Sequence, residues 1–217
     1  MQSLALVIGT DLRTERAVVM TMFGTVIAGR NEHVAARRLC NAQENYDLDK
    51  GEEFAGGFAF NIQRQKQDRV GAGCKPRAAP GPFTRRLKKW IETMGLVRHP
   101  QCQKRANGTG DCRFCPPLFP RYLDGRKEED GSIAPVTSQM VGEGVKAAMR
   151  AIGVDAARMS GRSMRRGGIT AGTMANVPEE VLFLQSGHGQ KKAGRLYMHD
   201  QSAERLYATS KALGMGR

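Results

Sequence analysis

The sequence predicts a single, mainly helical α+β domain with a small sheet. Several segments show the apolar spacing of helices, with capping residues or prolines at their starts. One segment, Phe58 to Arg64, alternates apolar with small or polar residues at the period of a strand. The 217 residues suffice for one well-packed core, and no internal repeat or long low-complexity segment divides them. We therefore predict one domain over residues 1–217.

The predicted helices differ in how much of their surface is apolar. Thr14 to Ala28 has little polar interruption and indicates a mostly buried helix, with Glu15 in its first turn. The helix that starts at Pro82 is amphipathic instead, with basic residues on its outward face. The other predicted helices run from Asn31 to about Asn41, from Thr137 or Ser138 through Met149, from Pro178 to near Gly187, and from Ser202 to Leu213.

Two further segments complete the predicted organisation. Gly71 and Gly73 follow the predicted strand and favour a hairpin-like return, which would place Lys66 on the hairpin. Residues 97–132 are loop-like, with four prolines, four glycines and three cysteines. Residues 99–120 are the cysteine- and proline-rich part of this loop, and we interpret them as an insertion.

The charge of the chain favours a polyanionic partner. Lysine and arginine total 34 against 21 acidic residues, which gives a net charge of +13 and a pI near 10.0. Nucleic acid is the first candidate; the alternatives are a basic protein that merely stays soluble or one associated with ribosomes. The longest weakly polar stretch, Ala17 to Gly29, is too short to cross a bilayer, so no membrane partner is predicted.

A tyrosine, a histidine and a basic cluster occur in an order that suits phosphodiester cleavage. Tyr197 lies nine residues after His188, and Arg162, Arg165 and Arg166 precede that histidine. A tyrosine hydroxyl can attack phosphorus and retain the phosphate as an ester, so that the strand can be rejoined without ATP. Guanidinium groups match the charge that develops on the non-bridging oxygens, and an imidazole adds another donor. These residues can therefore cut a phosphodiester without a metal.

These motifs resemble the C-terminal signature of the tyrosine recombinases, the phage-type integrases. The resemblance rests on the segment 163–171, on Gly187-His188 and on Tyr197, in fixed order and at familiar spacings. From about residue 17 to residue 217 the chain can be read along the catalytic domain of that family. The resemblance implies the family's mainly helical catalytic fold. It also implies DNA cleavage and rejoining, in site-specific recombination or integration, through a 3′-phosphotyrosine.

The resemblance assigns three of the candidate catalytic residues directly. Tyr197 would be the nucleophile; Tyr207 is the only nearby rival, and packing in the last predicted helix explains it. Arg165 and His188 would hold the scissile phosphate. Arg166 is also an arginine, and a solvated surface charge is the alternative for either residue. The Gly167-Gly168 pair that follows predicts close backbone packing there and favours Arg165.

Three further assignments include departures from the family's pattern. Arg30 is the best match for the upstream arginine, although His33 stands where an acidic residue is expected and Glu32 comes one position early. Lys66 resembles the hairpin lysine that protonates the departing 5′ oxygen. Arg162 replaces an expected histidine; it can donate to a phosphate oxygen but stays charged, so it cannot shuttle protons near neutral pH.

The cysteines suggest a separate metal site. Five cysteines, an odd number, without an export signal are typical of reduced thiols or metal ligands. His99, Cys102, Cys112 and Cys115 have the spacing His-x2-Cys-x9-Cys-x2-Cys, which predicts a structural zinc site; reduced loop cysteines are the alternative. No cofactor is predicted for catalysis, because phosphotyrosyl chemistry needs no metal.

The resemblance also sets expectations for partners and organisation. Double-stranded DNA is the expected partner, and helix 202–213 could reach a neighbouring protomer. We expect the family's N-terminal DNA-clamping domain to be absent, because so few residues precede the first helix. The expected location is intracellular and DNA-associated: the nucleus in a eukaryote, otherwise the cytoplasm or nucleoid. The alternative functions are a DNA-binding protein derived from a mobile element that has lost catalysis, and strand passage like that of a type IB topoisomerase.

Overall fold

A computed structural model of the protein describes residues 11–62, 75–103, 112, 114–160 and 162–186. Within these ranges, helices surround one buried helix, and a three-stranded sheet packs beside it, which confirms the predicted fold class. The helices are α1 (Leu12–Val26), α2 (Asn31–Ala35), α3 (Pro82–Thr93), α4 (Pro100–Gln103), α5 (Ser138–Ala151), α6 (Ser163–Met174) and α7 (Glu179–Ser186). The strands are β1 (Ala42–Glu44), β2 (Phe58–Phe60) and β3 (Arg77–Ala78).

The central helix is α1, which is buried continuously over 17–26. A helix that is apolar on all sides must be surrounded by the core, as the sequence predicts here. It begins two residues earlier than predicted because the Asp11 carboxylate accepts hydrogen bonds from the backbone N–H groups of Arg13 and Thr14. It ends in a Schellman motif, in which the Gly29 N–H donates to the Gly24 carbonyl at 2.8 Å and Ala28 has a φ of 45°.

Small residues bring other helices close to α1, which contacts α3, α5 and α6. An added Cβ at Gly144, on α5, would lie 2.7 Å from the Met20 Cε atom. One at Gly24, on α1, would lie 2.2 Å from the Met164 Sδ atom of α6. These approaches leave no room for a larger side chain and so fix how the helices pack.

The sheet has the order β1-β2-β3, and both pairings are antiparallel. β2 is the predicted strand, and its return through β3 confirms the predicted hairpin. All three residues of β2 are buried, and the Phe60 ring packs edge-on against Phe23 of α1, with ring centroids 4.8 Å apart. Lys66 lies outside the described residues. β1 escaped prediction because three residues are too short for a recognisable period.

The second predicted helix is wrong beyond Ala35. Residues 31–35 form α2, but the chain then leaves the helix and makes a 3₁₀ turn at Leu39–Asn41. The Leu39 N–H donates to the Pro116 carbonyl at 2.9 Å, and the Leu118 N–H donates to the Arg37 carbonyl at 2.8 Å. Pairing with a distant segment thus replaces the local helical hydrogen bonds.

The remaining helix predictions agree with the structure where it describes them. α3 begins at Pro82, the Thr137 hydroxyl caps α5 by accepting from the Met140 N–H, and α7 ends one residue before Gly187. Helix 202–213 lies outside the described residues. Among the residues that are described, no helix combines the length and apolar character needed to cross a bilayer.

Candidate active site

Several elements that carry or flank the predicted catalytic residues meet at the C-terminal end of α1. Arg30 follows the Schellman motif and is the N-cap residue of α2. Its side chain is 44% exposed, and its Nη1 atom lies 3.7 Å from the Glu32 Oε1 atom. An exposed guanidinium beside a single solvated carboxylate remains accessible to another anion.

Arg165 reaches the same region from the first turn of α6. Arg165 is buried, whereas Arg166 beside it is exposed. The reason is the contact of α6 with α1, in which a Cβ at Gly168 would lie 2.3 Å from the Thr25 carbonyl oxygen. This contact fixes the rotation of α6 about its axis and turns Arg165 inward. The predicted close packing at the Gly-Gly pair is therefore observed at Gly168.

His33 lies close to both arginines and is buried at 8% exposure. Its burial lowers the pKa of the imidazole to about 4; Glu32 opposes this shift, and the positive charges of Arg165, Arg37 and Arg30 add to it. The Nδ1 atom accepts a hydrogen bond from the Arg30 backbone N–H at 3.3 Å. The ring is thus neutral near pH 7, and this hydrogen bond assigns its proton to Nε2.

Arg37 has a structural role that the sequence did not reveal. Its Nε atom donates to the His33 carbonyl at 2.9 Å, and its Nη1 atom donates to the Asn61 carbonyl at 2.8 Å. Arg37 thereby ties the end of α2 to the residue that follows β2, at the base of the hairpin. Arginine-rich composition alone gave no signal that separated Arg37 from its exposed neighbours.

Gln185 makes a second connection to this region. Its Nε2 atom donates to the carbonyls of Val26 at 3.0 Å and Arg77 at 2.8 Å, and its Oε1 atom accepts from the Arg77 N–H at 3.1 Å. Gln185 is 1% exposed, so these bonds form away from water. They join the end of α7 to the end of α1 and to β3. The sequence gave no sign of this role, because an internal glutamine of a short helix is usually solvated.

Arg162 has a different position from Arg165. It is exposed and lies at the N-cap position of α6, where its backbone N–H donates to the Ser160 hydroxyl at 3.3 Å. The structure therefore brings Arg30 and Arg165 together around His33 and places Arg162 on the surface at the start of the same helix. His188 and Tyr197 lie outside the described residues.

The cysteines gather at a second place. The sulfurs of Cys40, Cys102 and Cys115 all lie within 4.8 Å of one another. Cys112 is not part of this three-sulfur group, but it forms a Cys-x2-Cys turn with Cys115, in which the Cys115 N–H donates to the Cys112 carbonyl at 3.1 Å. His99, which the spacing predicted as a ligand, contributes its backbone N–H to the Cys115 sulfur at 3.3 Å.

Comparison with solved structures relates this fold to a known one. The chain is similar to the XerH site-specific recombinase bound to its difH substrate in a pre-cleavage complex, with 12% identity and a TM-score of 0.53, covering 91% of this chain and 47% of that one. A post-cleavage complex of XerH with palindromic difH gives 12% identity and a TM-score of 0.54, covering 94% and 48%.

The likeness establishes the fold. The chain spans about half the length of these XerH chains. Its helices and small antiparallel sheet form the fold of a tyrosine recombinase catalytic domain. No protein-family model matches the chain, and no curated protein matches it either.

Proposed function

We propose that this protein cleaves and rejoins DNA strands through a covalent 3′-phosphotyrosyl intermediate, in site-specific recombination or integration. The observation that carries the proposal is the placement of Arg30 and Arg165, which are distant in sequence, close to His33 at one end of α1. Two guanidinium groups at one place attract an anion, and the exposed Arg30 side chain is accessible to one. A scissile phosphate is the anion that suits two guanidinium groups.

The proposed reaction begins when the Tyr197 hydroxyl attacks the phosphorus of one strand. The new bond links the tyrosine oxygen to the 3′ phosphate, the bond to the 5′ oxygen breaks, and Lys66 protonates the departing oxygen. The reverse attack, by a 5′ hydroxyl of the same or another strand, releases the tyrosine and restores the phosphodiester. Because the phosphate ester stores the bond energy, rejoining needs no nucleotide cofactor.

Arg30, Arg165 and His188 would stabilise the charge that develops on the non-bridging oxygens. Buried, pre-positioned donors are most effective for this purpose, since they need little reorganisation during the reaction. Arg165 is held in this way by the packing of α6, while the exposed Arg30 can adapt to the substrate. His33 is neutral near pH 7 and so adds no third full charge to the pair.

Chain connectivity supports the roles of residues outside the described ranges. Gln185 fixes the end of α7 against the end of α1, and His188 follows Ser186 after only one intervening residue. Asn61, which lies five residues before Lys66 in the sequence, is held by Arg37 through its carbonyl. Gln185 and Asn61 are thus both hydrogen-bonded near the end of α1, where Arg30 and Arg165 lie.

DNA is the proposed partner. A net charge of +13 favours a polyanion, and the solved structures with this fold are described as complexes of a recombinase with its difH substrate. Recombination also requires several protomers on two duplexes, and helix 202–213 is the proposed contact between protomers. Both proposals fit an intracellular, DNA-associated location.

The proposal is tested by trapping the covalent intermediate. The protein is incubated with nicked suicide duplexes drawn from a library of sequences, and a protease-sensitive protein–DNA adduct is sought. We expect Tyr197→Phe to abolish the adduct while DNA affinity stays within a few-fold, because the lost hydroxyl makes the bond and the basic surface remains. Tyr207→Phe is the matched control and should retain the adduct. Loss with Tyr207→Phe and retention with Tyr197→Phe would show that the wrong tyrosine was chosen.

A neighbouring pair of arginines tests the phosphate site in the same assay. Arg165→Lys keeps the charge but loses the bidentate geometry, and adduct formation should slow by at least about tenfold, as for removal of a transition-state donor. Arg166→Lys changes an exposed residue one position away and should have little effect. A thermal melt of each variant separates a catalytic loss from unfolding. Equal rates for both variants would remove Arg165 from the proposed site.

A second candidate is a DNA-binding protein without catalysis. It is favoured by Arg162 and His33, which replace the histidine and the acidic residue expected from the resemblance. Specific binding without an adduct at any selected site would support this candidate. Relaxation of supercoiled DNA by single protomers at unrelated sequences would instead support topoisomerase-like strand passage.

A further inference from the structure

Three parts of the chain bring their cysteines to one place. Cys40 lies in the 3₁₀ turn before β1, Cys102 lies in α4, and Cys115 follows the loop after that helix. Their sulfurs are mutually within 4.8 Å, although Cys40 precedes the others by more than sixty residues. Four sulfurs at about 2.3 Å from a tetrahedral zinc ion are about 3.8 Å apart. The observed grouping is therefore near the size that a zinc ion requires.

Cys112 is the candidate for the fourth sulfur, although it lies outside the group of three. It begins a Cys-x2-Cys turn in which the Cys115 N–H donates to the Cys112 carbonyl at 3.1 Å. This turn keeps Cys112 next to Cys115, and Cys-x2-Cys pairs commonly supply two ligands to one zinc ion.

We propose that Cys40, Cys102, Cys112 and Cys115 bind one zinc ion as a four-thiolate structural site. This assignment replaces His99, the ligand predicted from spacing, with Cys40. His99 orients a ligand through its backbone N–H, which donates to the Cys115 sulfur at 3.3 Å. Closed sites with four protein ligands are structural, because no coordination position is left for a substrate.

The zinc would hold the inserted loop, residues 99–120, against the rest of the domain. Arg38, close to Cys40, donates from Nη1 to the Cys115 carbonyl at 2.7 Å, and the backbone pairing of Leu39 with Pro116 lies alongside. The same segment continues to Leu118, whose carbonyl accepts a hydrogen bond from the buried Trp90 ring at 2.9 Å. Metal binding therefore links the loop to α3 and to the start of the sheet, and its free energy stabilises the fold.

Wild-type protein provides the first test. Protein purified without added zinc is expected to contain about one equivalent, and X-ray absorption at the zinc edge should fit four sulfurs at about 2.3 Å. A fit of three sulfurs and one nitrogen near 2.0 Å would overturn the assignment in favour of His99. Less than about a tenth of an equivalent, or a denatured mass two hydrogens lighter that indicates a disulfide, would overturn the site itself.

A pair of variants provides the second test. Cys40→Ser removes a proposed ligand and should reduce bound zinc at least about tenfold, as expected for the loss of one of four ligands. His99→Gln retains the backbone N–H and all four sulfurs, so its zinc content should equal that of the wild type. Retained zinc in Cys40→Ser with loss in His99→Gln would contradict the proposal. If Cys40→Ser fails to fold, the X-ray absorption spectrum of the wild type still distinguishes four sulfur ligands from three sulfurs and one nitrogen. Neither the zinc content nor the spectrum depends on DNA cleavage.

Discussion

His33 occupies the position where the resemblance to tyrosine recombinases leads one to expect an acidic residue, and it takes over a role that a carboxylate can perform. Its Nδ1 atom accepts the hydrogen bond of the Arg30 N–H, as the third helical residue does in a capping box. The neutral imidazole caps α2 without forming an ion pair with Arg165. The substitution therefore leaves the start of α2 intact.

The neutral state of His33 predicts a pH-dependent stability. The pKa of His33 is about 4 in the folded protein and about 6.5 in an unstructured peptide, so the unfolded chain binds the proton first as the pH falls. The free energy of unfolding should therefore decrease between pH 6.5 and 4. The decrease should reach about 3 kcal/mol, because each tenfold difference in proton affinity between the two states contributes about 1.4 kcal/mol. Urea titrations at pH 7.5 and pH 5 measure this loss.

The matched variant for this measurement is His33→Asn, which keeps a side-chain acceptor but cannot titrate. Burial is the main cause of the lowered pKa, with Arg165, Arg37 and Arg30 lowering it further and Glu32 raising it. The wild type should lose about 2 kcal/mol more than His33→Asn between the two pH values. Equal losses would mean that His33 has an ordinary pKa in the folded protein.

At the scale of elements, the contact between α1 and α6 determines where Arg165 lies. Gly168 touches the backbone of α1, whereas a Cβ at Gly167 would meet nothing within 4 Å. Gly168→Ala would place a methyl group 2.3 Å from the Thr25 carbonyl oxygen, which must force the helices apart. Overpacking of this kind lowers the free energy of unfolding by about 1–3 kcal/mol.

Gly167→Ala is the control in the same helix. It should be neutral or stabilise the protein by up to about 1 kcal/mol, because alanine favours the helix and the site is open. Denaturant titration of both variants measures the difference. The proposed function adds a second readout, since adduct formation should fall in Gly168→Ala under conditions where it remains folded. Equal stabilities of the two variants would contradict the close contact.

At the scale of the whole molecule, local patterns in the sequence predicted α1, α3 and α5, whereas α6 was not among the predicted helices. The apolar run of α1, the proline start of α3 and the hydroxyl cap of α5 are local signals, and each corresponds to an observed helix. Residues 36–41 were mispredicted because their backbone pairs with residues 116–118, and no local pattern reports such pairing. Tertiary hydrogen bonds thus decided where α2 ends.

In the candidate sites, too, local patterns predicted some features, and others depend on contacts between distant segments. The Gly-Gly pair favoured Arg165 over Arg166, but only the packing of α6 explains why one is buried and the other exposed. The sequence did not group Cys40 with Cys102 and Cys115, because they lie far along the chain. Gln185 could not be predicted at all, since its hydrogen bonds join three separate elements.

The net charge of the whole chain leads to a prediction about DNA affinity. Lysines and arginines that neutralise phosphates release counterions, so the logarithm of the affinity should fall linearly with the logarithm of salt, by about 0.9 per phosphate contacted. With a charge of +13 we expect several such contacts and a correspondingly steep slope. Fluorescence anisotropy with a labelled duplex between 50 mM and 200 mM salt, roughly the range over which such effects are large, measures it.

Two variants separate the general charge effect from the proposed site. Tyr197→Phe removes no charge and should leave the slope unchanged. Arg30→Ala removes one exposed cation at the proposed phosphate site and should reduce the slope by about one unit, with weaker binding to all sequences. A wild-type affinity that does not change with salt would exclude phosphate contacts as the basis of binding, and with them the proposed role of Arg30. A normal wild-type slope that Arg30→Ala leaves unchanged would instead place the phosphate contacts elsewhere on the protein.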